Sequence, residues 1–194
     1  MKWITLGLGV VSFAVFAVLG YRFLSRSPKS PLIDSDNIDG GVVHHSSGEN
    51  SPKEIKSTEI TEFDCEFSLL TCVDLTDLER AKYRLNVSLK DGVAVGYIKW
   101  HNRYGPTTEY KFEANPSFMV ELQEIVSKYD FAQYNGYSHF VSGLPDMYGI
   151  ILSINYSSGE SIYTSDNQDN LLPLEAVREL VDLFTEEGKK ATQE

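Results

Sequence analysis

An uncharged, strongly apolar run near the amino terminus constrains this chain more than any other feature. Residues 3–21, nineteen in all, contain no Asp, Glu, Lys or Arg. At about 1.5 Å of rise per residue, a helix of that length nearly crosses a hydrocarbon core of roughly 30 Å. We expect residues 1–26 to form an uncleaved transmembrane anchor. A cleaved signal segment, with loose cleavage sites at residues 15–17 or 18–20, and a buried core helix are the alternatives.

The residues that flank this run give conflicting indications about topology. Arg22, Arg26 and Lys29 follow it, whereas only Lys2 and the amino terminus precede it. The positive-inside rule therefore places the rest of the chain in the cytoplasm. A two-cysteine pattern and a body rich in Tyr, Ser and Asn instead favour an oxidising compartment. We expect a single-pass membrane protein whose C-terminal domain is extracytoplasmic, in a periplasm or at the cell surface.

Composition divides the remainder into a linker, a folded domain and a short tail. Residues 27–58 are rich in Ser, Pro, Asp and Gly and lack apolar periodicity, which is typical of a flexible linker. The pair His44–His45 in this linker is either a weak metal-ligand pair or two solvated side chains, and no other ligand type has a fixed spacing to it. Residues 59–188 are long enough to bury one core, and residues 189–194 are expected to be a frayed tail.

The charge of the chain excludes one class of partner. Three of the 17 basic residues, Lys2, Arg22 and Arg26, precede Ser27, and none of the 28 acidic residues does. The rest of the chain therefore carries a formal charge of −14, from 14 basic against 28 acidic residues. Such a body repels polyphosphate, so we expect no nucleic-acid partner, whereas a protein partner remains possible.

Alternating apolar residues predict an antiparallel meander. The alternation over residues 82–90 ends at Asp91-Gly92, the dipeptide favoured in two-residue type I′ turns. That turn sets the register, so that Leu89 faces Ala94 and Leu85 faces Ile98. Residues 63–69 predict an earlier strand, and residues 108–112 predict a third strand of the meander.

The C-terminal half predicts a helix, a loop, a hairpin and a second helix. Asn115 and Pro116 are suited to the N-cap and first position of a helix that ends near Asp130. Residues 134–147 are expected to be a loop, and the turn at residues 157–159 joins two strands in which Ile154 opposes Ile162. A last helix begins at Pro173 and is expected to stop at Gly188. The fold class is therefore α+β: after the transmembrane helix, an antiparallel meander sheet with two helices packed on one face.

Cys65 and Cys72 are the only cysteines of the chain. Two cysteines in an exported domain most often form a disulfide, which is our expectation here. Free buried thiols and a metal or redox site are the alternatives, although C-x6-C is not a redox motif. A bridge would require a turn before Cys72, because positions 65 and 72 of one straight strand face opposite sides.

No sequence motif for nucleophilic, metal-dependent or nucleotide chemistry is present. We therefore expect no enzyme, no catalytic residue, no cofactor and no metal site. One hydrolase reading stays open, in which His139 pairs with Asp146 or Ser142. Carboxylate and amide oxygens within residues 166–170 could bind calcium, but they lack the EF-hand spacing, and a solvated turn is the alternative.

Two surfaces are candidates for partner binding. Tyr134, Tyr137 and Phe140 crowd one segment and form a candidate partner-binding patch, since tyrosine is enriched at interfaces; capping of the core is the alternative. An inhibitor or immunity protein that neutralises a basic hydrolase is a second functional hypothesis. It would rest on a patch of four carboxylates at Glu109, Glu113, Glu121 and Glu124.

The order of motifs in the C-terminal half resembles a group of known domains. The motifs are YNGY at residues 134–137, DMYG at 146–149, ILSINYSSGESIYTSDNQDNLLP at 151–173 and a closing amphipathic helix. Over roughly residues 115–187 this order resembles uncharacterised bacterial envelope domains, often lipoproteins. The resemblance implies an envelope location and an α+β fold, and it implies no activity and no catalytic residue. The chain departs from that group at Tyr134, where Trp is frequent, and in lacking a lipobox cysteine.

Overall fold

The computed structural model describes residues 42–45, 48, 50–72, 77–102, 105–143 and 149–193. In this part the chain forms an α+β domain, with eight strands in one sheet and two α-helices. The expected anchor, residues 1–26, lies outside the described residues. None of the helices described is both long and apolar enough to cross a bilayer.

The strands and helices have the following bounds. The strands are β1 (Val42–His45), β2 (Ile60–Ser68), β3 (Ala81–Lys90), β4 (Val93–Asn102), β5 (Thr107–Ala114), β6 (Ser138–Ser142), β7 (Ile150–Tyr156) and β8 (Ser161–Asp166). The helices are α1 (Ser117–Lys128), a 3-10 helix (Phe131–Tyr134) and α2 (Leu174–Gln193). In the sheet the strands follow the order β1-β6-β8-β7-β2-β3-β4-β5.

The predicted meander and its register are confirmed. Leu89 pairs with Ala94 and Leu85 pairs with Ile98 across the β3–β4 hairpin. Asp91 and Gly92 both have positive φ, at 51° and 78°, as a type I′ turn requires. β2 and β5 extend this hairpin on its two sides by antiparallel pairing.

The second hairpin is also confirmed, but the sheet is not wholly antiparallel as predicted. Ile154 opposes Ile162 in the β7–β8 pair, and Gly159 in the connecting turn has φ of 84°. β6 pairs with β8 in parallel, through Ser138–Ser165 and His139–Asp166. The reason is a crossover. β7 follows β6 in the chain, yet β8 lies between β6 and β7 in the sheet.

The residues of β6 were expected to be loop. Gly136 and Gly143 bracket the strand with φ of 76° and 88°, and such glycines suggested a break in the chain rather than a short strand between two turns. The alternation of buried His139 and Val141 with exposed Phe140 is nevertheless the period of a half-buried strand.

The two helices cover one face of the sheet and enclose the core. Phe184 of α2 lies against three aromatic rings, those of Phe63, Phe112 and Phe118, with centroids 5.1–6.0 Å away. The amide of Ser117 donates to Asn115 Oδ1 over 3.0 Å, so Asn115 satisfies one free amide at the start of α1. Within the described residues no element covers the other face of the sheet, which we call the uncovered face.

The last helix does not stop at Gly188 as predicted. It continues to Gln193, and Gly188 is buried inside it. A Cβ atom at this position would lie 2.4 Å from Tyr110 Cβ, so glycine here permits the close approach of α2 to β5. Gly188 is therefore a packing residue rather than a helix terminator, and residues 189–193 belong to the helix rather than to a frayed tail.

The folded part begins earlier than Glu59, so the predicted linker boundary is wrong. Residues 42–45 form β1 at one end of the sheet, and residues 50–57 are fixed to the domain. Asn135 Nδ2 donates to the Pro52 carbonyl over 2.9 Å. The amides of Lys56 and Ser57 donate to the Glu160 carboxylate, and with Ser158 they lower the pKa of Glu160. We call residues 50–57 the docked segment.

Candidate functional site

The predicted disulfide is not formed. Both cysteines are free, with Cys65 buried and Cys72 partly buried. Cys65 lies in the middle of β2, and the strand continues to Ser68 before the turn in which the Cys72 amide donates to the Leu69 carbonyl. Four residues of extended chain carry Leu69, and with it the turn that holds Cys72, about 13 Å from Cys65.

The three predicted partner-binding aromatics do not lie together on one surface. Tyr134 is partly buried and packs against the hydrophobic core. Tyr137 is also partly buried, and its ring lies 6.3 Å from that of His139. Phe140 belongs to the uncovered face and is 52% exposed. Of the three, Phe140 alone is presented for binding in the described structure.

Half of the uncovered face carries no formal charge. Within the described residues β1, β6, β8 and β7 contribute no Asp, Glu, Lys or Arg to it. The side chains that they present are those of His44, Ser138, Phe140, Ser142, Ile151, Ser153, Asn155, Ser161, Tyr163 and Ser165. In a chain whose residues are 23% charged, this composition sets the half-face apart from the rest of the surface.

Three large apolar side chains stand out from this half-face. Phe140, Ile151 and Tyr163 are 52%, 48% and 51% exposed. The register places Ile151 beside Ser165, with Tyr163 two residues away along β8. At strand spacings of about 4.8 Å and a rise of about 3.3 Å per residue, the three Cα atoms are roughly 8–14 Å apart. We call these three residues, with Ser138 and Ser165 between them, the uncharged patch.

Short polar contacts hold the patch in place without adding charge. Ser138 and Ser165 are joined by a hydrogen bond between their Oγ atoms, at 3.0 Å. His44 of β1 is hydrogen bonded to Ser142 over 3.0 Å, and its ring centroid lies 6.3 Å from that of Phe140. The two serine hydroxyls of the patch thus pair with each other, and the large side chains project beside them.

The other half of the uncovered face is charged but balanced. Its described strand residues include five acidic side chains and five basic ones: Glu62, Asp64, Glu66, Glu109 and Glu113, against Lys82, Arg84, Lys90, Lys99 and Lys111. Cross-strand ion pairs join Lys82 to Glu66 at 2.6 Å and Arg84 to Asp64 at 3.2 Å. The face as a whole therefore has no net charge.

The covered face contains a buried polar cluster beneath the patch. His139 Nδ1 donates to Asp166 Oδ2 over 3.0 Å. The amides of Gln168 and Asp169 donate to Asp166 Oδ1 at 2.8 and 3.0 Å. Burial and the nearby Asp166 carboxylate raise the pKa of Tyr137 to about 12. The cluster joins β6 to β8, whose pairing comprises only two residue pairs.

This arrangement contradicts the pairing of His139 with Ser142. His139 and Ser142 are three residues apart in β6, so they face opposite sides of the sheet. Ser142 is paired with His44 on the uncovered face, whereas His139 is buried with Asp166. Asp146, the other predicted partner, lies outside the described residues. Asp166 could be identified as the partner of His139 only from the strand order, because a crossover brings β6 beside β8.

The candidate ligand oxygens of residues 166–170 have protein partners, either in their own loop or in β6. Asn167 accepts from the Val141 amide and donates to the Val141 carbonyl, at 2.9 and 3.0 Å. Asn170 accepts from the Leu172 amide. In the described part of the chain no group of three or more His, Cys, Asp or Glu residues is arranged to hold a metal ion.

The four carboxylates of the inhibitor hypothesis are divided between two sides of the domain. Glu109 and Glu113 lie on the uncovered face of β5, where Lys111 is 3.8 Å from Glu109. Glu121 and Glu124 are exposed on α1, which covers the opposite face. The structure does not bring the four together into one acidic surface.

Sequence reasoning overlooked two of the three apolar residues of the patch. Ile151 and Tyr163 break the alternation of their strands, since each is a large side chain at a position where the period predicts a polar one. That irregularity was the available signal.

Comparison with known proteins adds no identification: no protein-family model matches the chain, and neither the curated proteins nor the solved structures gave a significant match.

Proposed function

We propose that this chain is a membrane-anchored, extracytoplasmic domain without enzymatic activity, which binds a protein partner through the uncharged patch. The observation that carries the proposal is the uncovered sheet face, half of which lacks charge and exposes Phe140, Ile151 and Tyr163 by about 50% each. The apolar run at residues 3–21 supports the anchor, and the resemblance to bacterial envelope domains supports the location.

The chemistry of the patch suits a protein surface. Aromatic residues are enriched and charged residues are depleted at the centres of protein interfaces, and the patch has both properties. Sheet faces that lie open in isolated domains are stabilised when another apolar surface covers them. The serines around Phe140, Ile151 and Tyr163 provide the polar rim that such interfaces usually have.

The remaining polar clusters support a structural role better than a catalytic one. Asp166 accepts two backbone amides in addition to His139, so its carboxylate closes the turn after β8. The pair is buried, and its bonds link two strands of the sheet. The buried pair is therefore explained by its structural role, and a binding function explains the exposed uncharged patch, which hydrolysis would not require.

Photo-crosslinking in the native membrane tests the proposal. A benzophenone amino acid replaces Tyr163 in the full-length protein, and irradiation is expected to give one discrete protein adduct. The matched control carries the same probe at Val120, which is 59% exposed on α1, and is expected to give none. Adding Ile151→Lys should reduce the Tyr163 adduct at least about tenfold, equivalent to ~1.4 kcal/mol of binding free energy.

Two results would count against a binding role for this face. Equal labelling from positions 163 and 120 would show that the face has no specific partner. An adduct unaffected by Ile151→Lys would show that the partner contacts another surface. Far-UV circular dichroism of each variant checks that the fold is retained.

A further inference from the structure

Resting on the proposed function, we propose that the partner of the uncovered face is a second copy of this chain. Two copies would pack face to face, sheet against sheet, with the helices on the outside. Aligned packing of two twisted sheets at about −30° is an ordinary way to cover such faces. The inference rests on the charge, the area and the symmetry of the face.

Charge favours an identical partner over an acidic or basic one. After Arg26 the chain carries 14 basic and 28 acidic residues, yet the uncovered face has five of each in the described strands. The whole acidic excess therefore lies elsewhere in the chain. Two copies that approach by this face bring together surfaces without net charge, away from the acidic excess of the chain.

The symmetry of a face-to-face pair brings the two uncharged patches together, while the charges of the other half are paired within each copy. The acidic residues of β2, among them Asp64 and Glu66, lie next to the basic residues of β3, among them Lys82 and Arg84. A two-fold axis in the interface presents the same surface from both sides. With that axis perpendicular to the strands, each strand lies opposite its own copy, so the uncharged patch of one copy meets that of the other.

The size of the face matches that of a stable interface. Eight strands at about 4.8 Å spacing are roughly 38 Å wide, and six residues of strand are roughly 20 Å long, giving about 750 Å². Standard interfaces bury about 800 Å² on each partner. Ile151, Phe140 and Tyr163 are the apolar side chains that such packing would bury.

The mass of the full-length protein in detergent is the first test. Light scattering at about 50 μM, above the weakest dissociation constants of interfaces of this size, should give a protein mass of twice 21.8 kDa. Ile151→Lys should reduce the mass to that of one chain, because each copy would bury an unpaired charge. Val120→Lys, on the exposed side of α1, should leave it doubled. If Ile151→Lys fails to fold, Tyr163→Lys takes its place.

The arrangement of the two copies is tested by a distance. With Val120→Cys spin-labelled in a Cys72→Ser background, the two labels should be more than about 30 Å apart. The reason is that two helix layers and two sheets separate them at about 10 Å per layer. A shorter separation contradicts face-to-face packing.

Failure of this inference differs from failure of the proposed function. A single-chain mass for the wild-type protein overturns the inference, as does a doubled mass in both lysine variants of the patch. If the protein is a single chain but Tyr163 still crosslinks to a different protein, the inference fails while the proposed function stands. If the protein is a single chain and Tyr163 gives no adduct, both fail.

Discussion

Replacing Asp166 with alanine is expected to lower the free energy of unfolding by about 3–5 kcal/mol, because it removes one member of a buried hydrogen-bonded pair. Asp166 Oδ2 accepts from His139, and Asp166 Oδ1 accepts from the amides of Gln168 and Asp169. All three donors would lose their carboxylate acceptor. Urea denaturation followed by circular dichroism at neutral pH measures the change.

Two variants distinguish the buried pair from a general effect of substitution. Asp166→Asn keeps an oxygen for the two amides, so it should lose less than half as much stability as Asp166→Ala. Asp169→Ala, at an exposed position of the same loop, should change stability by less than about 0.5 kcal/mol. A loss of under about 1 kcal/mol for Asp166→Ala would show that the cluster does not hold β6 to β8.

Asn135→Ala is expected to destabilise the domain by about 2–4 kcal/mol and to release the docked segment. The Asn135 side chain is buried and makes three hydrogen bonds. It donates to the Pro52 and Ser161 carbonyls at 2.9 and 3.1 Å, and it accepts from the Tyr163 amide at 2.9 Å. Hydrogen exchange should show the loss directly, with faster exchange at the amides of Lys56 and Ser57.

The controls for this prediction come from the same turn of the chain. Gln133→Ala, two residues earlier and exposed, should leave both stability and exchange near the wild-type values. Asn135→Asp keeps the acceptor for Tyr163 but loses both donors, so it should fall between the wild type and alanine. Unchanged exchange at Lys56 and Ser57 in Asn135→Ala would mean that other contacts hold the docked segment.

Local sequence signals predicted the hairpins well, because the turn of each hairpin determines the register of its two strands. Asp91-Gly92 fixes a turn whose geometry determines every pair in β3 and β4. The turn that ends at Gly159 does the same for β7 and β8. The start of α1 was likewise readable from Asn115, whose side chain accepts from the amide two residues later.

The errors concern contacts between residues distant in the chain. Nothing near Gly188 in sequence shows that Tyr110 lies against it. The segment around Pro52 reads as linker because its partners, Asn135 and Glu160, come about 80 to 100 residues later. The candidate site follows the same rule: Phe140 was recognised within its segment, whereas its association with Ile151 and Tyr163 depends on strand order.

Because the two thiols are buried to different extents, chemical labelling of the natural chain can determine its membrane topology. Cys65 has no exposed surface, and burial strongly raises the pKa of its thiol, so it resists alkylation in the folded state. Cys72 is partly exposed. A membrane-impermeant maleimide applied to intact cells therefore addresses one residue, and its incorporation reports the side of the bilayer that the domain occupies without an engineered cysteine.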